Sequence, residues 1–206
     1  MKKPQSVEFV KSAQSAPDFP PPAEPEVAFV GRSNVGKSTL LNTLVATKRM
    51  AFVSKTPGRT QLINFFRIPS EMMLVDLPGY GFAKAPRSVR EHWETLITSY
   101  LFERTGLCLV LLLVDIRRDP MASDQLVRDM LVEANLAHAV VATKADKLSK
   151  SKVRQQRNKL QAVYGPAETS EEVPFITFSA VTNEGRKELW KVIETHLHAS
   201  KRAPRK

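Results

Sequence analysis

The chain of 206 residues lacks the features of secreted and membrane proteins. Its one cysteine, Cys108, has no disulfide partner, so we expect a reducing compartment and a small buried core residue. No segment approaches the roughly 18 apolar residues of a transmembrane helix. Lys2 and Lys3 are not followed by the apolar segment of a secretory signal. We therefore expect a cytoplasmic protein with no membrane span.

Acidic residues are also scarce: 21 Asp and Glu stand against 31 Lys and Arg, which leaves a net charge of +10. Such a surplus favours an acidic partner, with nucleic acid first and an anionic membrane surface second. Residues 147–159 and the tail 199–206 concentrate basic side chains and predict an RNA-binding surface, although a solvated helix face has the same composition. The first segment contains Lys147, Lys150, Lys152, Arg154, Arg157 and Lys159.

The pattern along the chain predicts one α/β domain. Residues 1–25 carry six prolines and form an extended arm, residues 26–198 alternate strands and helices, and residues 199–206 form a basic tail. The alternation predicts a three-layer α/β/α fold with a mostly parallel six-stranded sheet. The candidate strands are 26–30, 61–68, 72–76, 107–115, 138–143 and 174–178.

Helices are predicted at 88–103, 121–134, 147–164 and 185–198 from apolar residues at helical spacing. In the second of these, Leu126, Met130 and Leu131 form the predicted core stripe. Trp93 and Trp190 lie on the apolar faces of the first and last helices. We interpret both as core residues rather than ligand-stacking residues.

A phosphate-binding loop follows the first apolar strand. The segment Gly31, Arg32, Ser33, Asn34, Val35, Gly36, Lys37, Ser38, Thr39 matches G-x-x-x-x-G-K-[ST] between a strand and a helix. Gly31 and Gly36 allow the backbone to curl so that N–H groups face phosphate oxygens. Lys37 is placed to reach the β- and γ-phosphates, and the hydroxyl of Ser38 to ligate Mg²⁺.

Two further segments are candidates for the same site. Asp76, Leu77, Pro78 and Gly79 follow a predicted strand, so that the carboxylate can hold Mg²⁺ and the Gly79 N–H can meet a γ-phosphate. A loop before the second of the candidate strands places the hydroxyl of Thr60 where it could reach the same metal. The candidate nucleotide-binding residues of this loop are Gly58, Arg59, Thr60, Gln61 and Leu62.

Base recognition rests on a resemblance. The segment Thr143, Lys144, Ala145, Asp146 resembles the base-recognition motif of translation-factor-related GTPases. The resemblance implies that Asp146 accepts hydrogen bonds from the guanine N1–H and 2-amino groups. It also implies that backbone N–H groups of Phe178, Ser179 and Ala180 meet the guanine O6. The alternative for Asp146 is the N-cap of the helix that follows.

Four segments together resemble the EngB family of bacterial GTP-binding proteins: 31–39, 55–61, 76–84 and 143–147. The continuation Tyr80-Gly81-Phe82 after Asp76 is the most specific part. The resemblance covers about residues 6 to 198. It implies a single GTPase domain with GTP or GDP as ligand and Mg²⁺ as cofactor, which we expect to be monomeric. It also implies binding to the large ribosomal subunit during assembly, and a requirement for normal cell division and septation.

The catalytic residues depart from the usual GTPase pattern. Tyr80 stands where many GTPases have the glutamine that orients water, so we expect slow hydrolysis, on the order of 10⁻⁴ to 10⁻² s⁻¹. In related GTPases an asparagine at the position of Asn34 ligates K⁺. We therefore predict Lys37, Thr60 and Asn34 as catalytic residues, the alternative for Asn34 being a role in loop conformation only. Thr143 replaces the usual asparagine, which predicts micromolar nucleotide affinity.

Two other functions are compatible with a phosphate-binding loop. The first is a scaffold for division proteins that binds GTP and whose hydrolysis is incidental. The second is a small-molecule kinase, which the base-recognition motif disfavours. Co-sedimentation with ribosomal particles distinguishes the first from an assembly switch, and competition of ATP against GTP tests the second.

Overall fold

Seven strands form one sheet in the computed structural model, which describes residues 6–46, 62–81, 87–165 and 173–202. The strands are β1 (Glu8–Ala13), β2 (Glu26–Gly31), β3 (Ile63–Ile68), β4 (Met72–Asp76), β5 (Leu107–Asp115), β6 (His138–Thr143) and β7 (Phe175–Thr177). Their spatial order is β1-β3-β4-β2-β5-β6-β7. All six strands predicted from the sequence are present. The prediction of six was one too few.

The additional strand comes from the N-terminal arm. β1 pairs antiparallel with β3, with a bulge between Phe9 and Lys11. β3 and β4 are also antiparallel, whereas β4, β2, β5, β6 and β7 are parallel throughout. The prolines conceal this strand because they surround residues 8–13 without interrupting them. The division of the chain at residues 25 and 198 stays a prediction.

Five helices cover the two faces of the sheet: α1 (Lys37–Leu44), α2 (Arg87–Glu103), α3 (Ala122–Glu133), α4 (Lys150–Tyr164) and α5 (Arg186–Arg202). The cores on the two faces are separate: α2, α3 and α4 contribute to one, and α1 and α5 to the other. The three-layer α/β/α architecture is therefore confirmed. Trp190 is buried and Trp93 partly buried, in agreement with their assignment as core residues.

The predicted face of α3 was correct at Leu131 but wrong at Leu126. Leu126 is 62% exposed, whereas Asp124, Val127 and Leu131 are buried. The helix is rotated by about one residue from the orientation that the apolar stripe indicated, and an acidic residue faces the core. The last helix also continues to Arg202, so that the beginning of the predicted tail is helical, while residues 203–206 lie outside the described part.

The parallel strands explain why distant motifs meet. Four of the five parallel strands are each followed by one of the predicted nucleotide-binding segments: β2, β4, β6 and β7. All four end at the same edge of the sheet. The carboxyl edge of an open parallel sheet is where ligands bind in such folds. We therefore sought the functional site at this edge.

A buried ion pair holds the opposite edge. Glu26, the first residue of β2, is 1% exposed, and both of its oxygens accept from the Arg104 guanidinium, with Nε to Oε2 at 2.9 Å. Tyr100 donates to the same carboxylate at 2.8 Å. The guanidinium also lies 5.6 Å from the ring centre of Phe65 and 6.0 Å from that of Phe19. This cluster joins α2 to the amino ends of the central strands.

None of the helices in the described ranges is both long and apolar enough to cross a membrane.

Candidate nucleotide-binding site

The phosphate-binding loop connects β2 to α1. Gly36 has a φ of 106°, a left-handed conformation that favours glycine, and it is the N-cap of α1. Because glycine has no side chain with which to cap the helix, the first N–H groups of α1 are available to an external acceptor. These groups and the helix dipole together favour a phosphate. The predicted role of Gly36 therefore agrees with its geometry.

Gly31 is required for a different reason from the one we predicted. It ends β2, and a Cβ added there would lie 2.8 Å from the carbonyl oxygen of Leu113 on β5. A larger residue would separate the two central strands. Gly31 therefore permits close packing rather than a curl of the loop.

The loop packs directly on the segment after β4. A Cβ on Gly79 would lie 3.1 Å from the backbone nitrogen of Ser33. Ser33 N donates to Tyr80 O at 2.9 Å, and Tyr80 N donates to Gly31 O at 3.4 Å. The lack of a side chain at Gly79 therefore lets two phosphate-facing segments touch. These hydrogen bonds connect the two segments directly.

Lys37 and Asp76 are brought together, as predicted. The ammonium of Lys37 at the start of α1 forms an ion pair with Asp76 at the end of β4. Lys37 would pair with phosphate oxygens, and Asp76 with Mg²⁺, when a nucleotide binds. The described residues contain no cluster of three or more His, Cys, Asp or Glu side chains able to hold a metal.

The residues present fit a Mg²⁺ site. Ser38 follows Lys37 in the first turn of α1, and Lys37 contacts the Asp76 carboxylate. Mg²⁺ prefers one or two oxygen ligands from protein together with substrate phosphates. When bound, the ion neutralises phosphate charge, and Ser38 and Asp76 would hold it. The third predicted ligand, Thr60, lies outside the described residues with Gly58, Arg59 and Gln61.

Two side chains of the base-recognition motif donate hydrogen bonds to the backbone of the phosphate-binding loop. The hydroxyl of Thr143 donates to Val35 O at 2.6 Å. The ammonium of Lys144 donates to Asn34 O at 2.6 Å and to an oxygen of Asp115 at 2.9 Å. The Thr143 hydroxyl also lies 3.1 Å from Val114 O, so its one proton is engaged by backbone carbonyls, with the shorter contact to the loop. An asparagine could contact the loop and the base at once, but threonine can serve only one of them.

Asp115 is a site residue that the sequence analysis missed. It ends β5 and accepts from both Lys144 and Arg117. Burial works to raise its pKa, but the hydrogen bonds from these two cations outweigh burial and lower the pKa of Asp115 to about 2. The carboxylate therefore stays ionised and orients Lys144 toward the loop. Its position at a strand end beside the motif was the available signal.

Asp146 contacts Ser179 in the loop after β7 and does not cap α4. Its Oδ1 accepts from the Ser179 hydroxyl at 2.9 Å. The N-cap of α4 is Ser149, whose side chain accepts from Lys152 N, so the alternative role for Asp146 was wrong. Burial raises the pKa of Asp146, but bonds from Ser179 and Lys147 outweigh it and lower the pKa. An ionised carboxylate here can only accept hydrogen bonds.

Three backbone N–H groups were predicted to meet the guanine O6. Among the described residues, two of them already have hydrogen-bond partners. Phe178 N donates to Ala142 O and Ser179 N to Glu184 O. Among the hydrogen bonds of the described residues, none uses the backbone N–H of Ala180. That group follows Ser179, which contacts Asp146, and so lies beside the predicted base position. Leu62 is described just before β3 but makes no contact that tests its assignment.

Known proteins are similar to this chain in sequence and in fold. A family profile described as 50S ribosome-binding GTPase matches residues 26–144, and the elongation factor Tu GTP binding domain profile matches residues 105–199. The probable GTP-binding protein EngB of Geobacter metallireducens is 50% identical over 197 residues, covering 96% of this chain and 95% of that protein. The EngB protein of Desulforamulus reducens is 48% identical and covers 94% and 93%.

Solved structures agree. The crystal structure of a probable GTP-binding protein EngB superimposes with a TM-score of 0.68 at 26% identity, covering 84% of this chain and 99% of that one. Aquifex aeolicus Era bound to GDP·AlF₄⁻ gives a TM-score of 0.61 at 26% identity, covering 83% and 56%. Together with the site geometry, these similarities show that the chain belongs to the EngB family of GTP-binding proteins and has the P-loop GTPase fold.

Proposed function

We propose that this GTPase is a slow, Mg²⁺-dependent molecular switch that acts in the cytoplasm on the large ribosomal subunit during its assembly. Its role in cell division and septation would follow from the family resemblance. GTP and GDP are the ligands expected of the family, and the contact between Gly79 and the phosphate-binding loop supports a switch. Through that contact, the segment facing the γ-phosphate and the loop must move together.

We place the proposed RNA contact on residues 147–159, an exposed basic segment that lies just before α4 and in its first part. All six side chains of the basic run are exposed, and only Lys147 and Lys159 among them make ion pairs within the described residues. A solvated face would explain exposure, but the net charge of +10 without acidic compensation favours phosphate contacts. The matched family profile is described as a 50S ribosome-binding GTPase, which supports the same partner. We propose a monomer as the binding unit.

The association with isolated large ribosomal subunits is expected to be steeply salt-dependent. With about four phosphate contacts, affinity should fall on the order of 100-fold between 50 and 200 mM salt. Replacing Lys150 and Lys152 by glutamine should reduce the slope of log affinity against log salt by about 2. Co-sedimentation with a GTP analogue or GDP measures both effects.

The matched control for these variants replaces Lys187 and Lys191 by glutamine. These lysines are equally exposed but lie on α5, which packs on the other face of the sheet. The control should leave the slope unchanged. A flat salt dependence, or equal effects of the two double variants, would contradict an RNA contact at α4. Nucleotide-dependent binding to division proteins instead of ribosomal particles would indicate the scaffold function.

Potassium ions are expected to accelerate hydrolysis. The Tyr80 side chain is buried and cannot orient water as a glutamine does. Asn34 is exposed in the phosphate-binding loop, so its amide oxygen is accessible to a cation. Hydrolysis in KCl should exceed that in NaCl of equal ionic strength by at least about 10-fold. Rates of phosphate release measure this difference.

The same experiment distinguishes the two roles of Asn34. Its φ of 63° is left-handed, a conformation that asparagine and glycine tolerate, so a purely conformational role also explains the residue. Asn34→Gly keeps that conformation and removes the amide, and it should abolish the potassium effect. Asn135→Gly, at an exposed asparagine with a φ of 50°, is the control. Equal rates in the two salts for the parent protein would refute the potassium proposal.

A further inference from the structure

A buried polar pair next to the site is left without hydrogen bonds. Tyr80 directly follows Gly79 and is 5% exposed, and Asp124 on α3 is 4% exposed. Neither the Tyr80 hydroxyl nor Oδ1 of Asp124 has a hydrogen-bond partner within the described residues. Burial, with the charge of Asp124 as a second cause, raises the pKa of Tyr80, which shows that the two groups are close.

Such an arrangement requires a reason. Each buried polar atom without a partner destabilises a fold, so unpaired groups are few in native proteins. The two groups are chemically complementary because a phenol donates and a carboxylate accepts. The hydrogen bond between them would be charge-assisted and stronger than a neutral one. The two groups are close enough to interact but lack the geometry of a formed hydrogen bond, which is what a switchable hydrogen bond requires.

The surroundings connect this pair to both the nucleotide site and the outer helices. The backbone of Tyr80 is hydrogen-bonded to Ser33 and Gly31 of the phosphate-binding loop. On the other side, burial raises the pKa of Asp124, and the hydroxyl of Tyr80, the charge of Arg32 and the hydroxyl of Tyr164 on α4 oppose that effect. The Tyr164 hydroxyl accepts from Met121 N at 2.8 Å, just before α3.

We propose that Tyr80 and Asp124 are positioning residues that read the nucleotide state: the Tyr80 hydroxyl donates to Asp124 when Gly79 binds a γ-phosphate, and not otherwise. This inference rests on GTP binding but not on the ribosomal partner. Because the bond would form only in the triphosphate state, it adds to the affinity for GTP and not to that for GDP. Neither side chain touches the nucleotide.

The test compares affinities for GDP and for a non-hydrolysable GTP analogue. Tyr80→Phe removes one oxygen atom and should lower the affinity for the analogue relative to GDP by about 10-fold, with GDP affinity unchanged. Asp124→Leu, of similar shape, should give the same ratio. The double variant should do no more than either single variant, because both remove one hydrogen bond.

Stability measurements separate this role from a structural one. In the form described here the Tyr80 hydroxyl is unpaired, so Tyr80→Phe should be as resistant to urea as the parent or more so. The control is Tyr100→Phe, which removes an equally buried phenol from Glu26 at the opposite edge. It should lower stability and leave the affinity ratio unchanged.

A spectroscopic measurement follows the same segment directly. Trp93 packs edge-on against Tyr80 with ring centres 5.7 Å apart, and its Nε1 donates to Pro78 O at 3.0 Å. In a Trp190→Phe background Trp93 is the only tryptophan. Its fluorescence should change with the GTP analogue but not with GDP, and Tyr80→Phe should remove that difference.

The proposal is overturned if the affinity ratio is unchanged in Tyr80→Phe, which is the result of a permanently water-bridged pair, or if the two single effects add in the double variant. Should Asp124→Leu fail to fold, Tyr80→Phe alone still decides, because it leaves packing intact. A parent protein that binds neither nucleotide would instead refute guanine nucleotide binding itself.

Discussion

Asp146→Asn is expected to lower the affinity for GTP and GDP on the order of 1000-fold, because it removes two charge-assisted hydrogen bonds to the base. In the proposed complex the ionised carboxylate would accept from the guanine N1–H and 2-amino groups, whereas the asparagine amide would present donors to donors. Xanthine carries an oxygen in place of the 2-amino group, so the same variant should gain affinity for xanthine nucleotides. Calorimetric titration with GDP, XDP and ADP measures the three affinities.

The control keeps the carboxylate and removes its support. Ser179→Ala deletes the hydroxyl that donates to Asp146 at 2.9 Å and should weaken GDP binding far less, without any gain for xanthine. The hydroxyl also accepts from the backbone nitrogens of Val181 and Thr182, so a modest loss of order in this loop is expected. An Asp146→Asn protein that binds GDP as tightly as the parent would refute the assignment of this carboxylate to the base.

Arg104→Met is expected to destabilise the protein by about 3–5 kcal/mol, the largest stability effect that we predict. Glu26 is almost completely buried, and the substitution leaves its charge with only the hydroxyl of Tyr100 as a partner. Adding Glu26→Gln should recover more than half of the loss, because the remaining group is neutral and still accepts from Tyr100. Urea denaturation measures the free energies of unfolding.

A half-exposed pair provides the comparison. Arg67 donates to Glu24 at 3.0 Å, with side chains 36% and 21% exposed, so Arg67→Met should cost only about 0–1 kcal/mol. Neither variant should alter GDP affinity once folded, because Glu26 lies at the amino end of β2 and the nucleotide site at its carboxyl end. Equal costs for Arg104→Met and Arg67→Met would contradict the burial argument.

Much of the candidate site was predictable because its motifs are local. The phosphate-binding loop needs glycine and lysine at fixed spacing between a strand and a helix, and Lys37 and Gly36 lie where that spacing predicts. Asp76 was predicted because it lies at the end of an apolar strand, and Asp146 because its segment resembles a known base-recognition motif. In each case the interaction with the ligand depends on a few consecutive residues, which the sequence displays directly.

The errors concern contacts between segments distant in the chain. Leu126 fits an apolar stripe as well as Val127 does, and only the packing of α3 against the sheet decides that Asp124 faces inward. The strand at 8–13 is short, and its pairing with β3 depends on residues 50 or more positions away. Local periodicity contains no information on either choice.

The sequence by itself therefore determined the chemistry of this protein: the phosphate loop, the predicted guanine-reading carboxylate, the alternation of strands and helices, and the family. Only the tertiary structure decided which groups form ion pairs and hydrogen bonds. Examples are Glu26 with Arg104 and Thr143 with the phosphate-binding loop. The tertiary structure also decided which polar groups are buried close together without the geometry of a hydrogen bond, as Tyr80 and Asp124 are. The physical reason is that burial and pairing are properties of packed neighbours, and those neighbours come from remote parts of the chain.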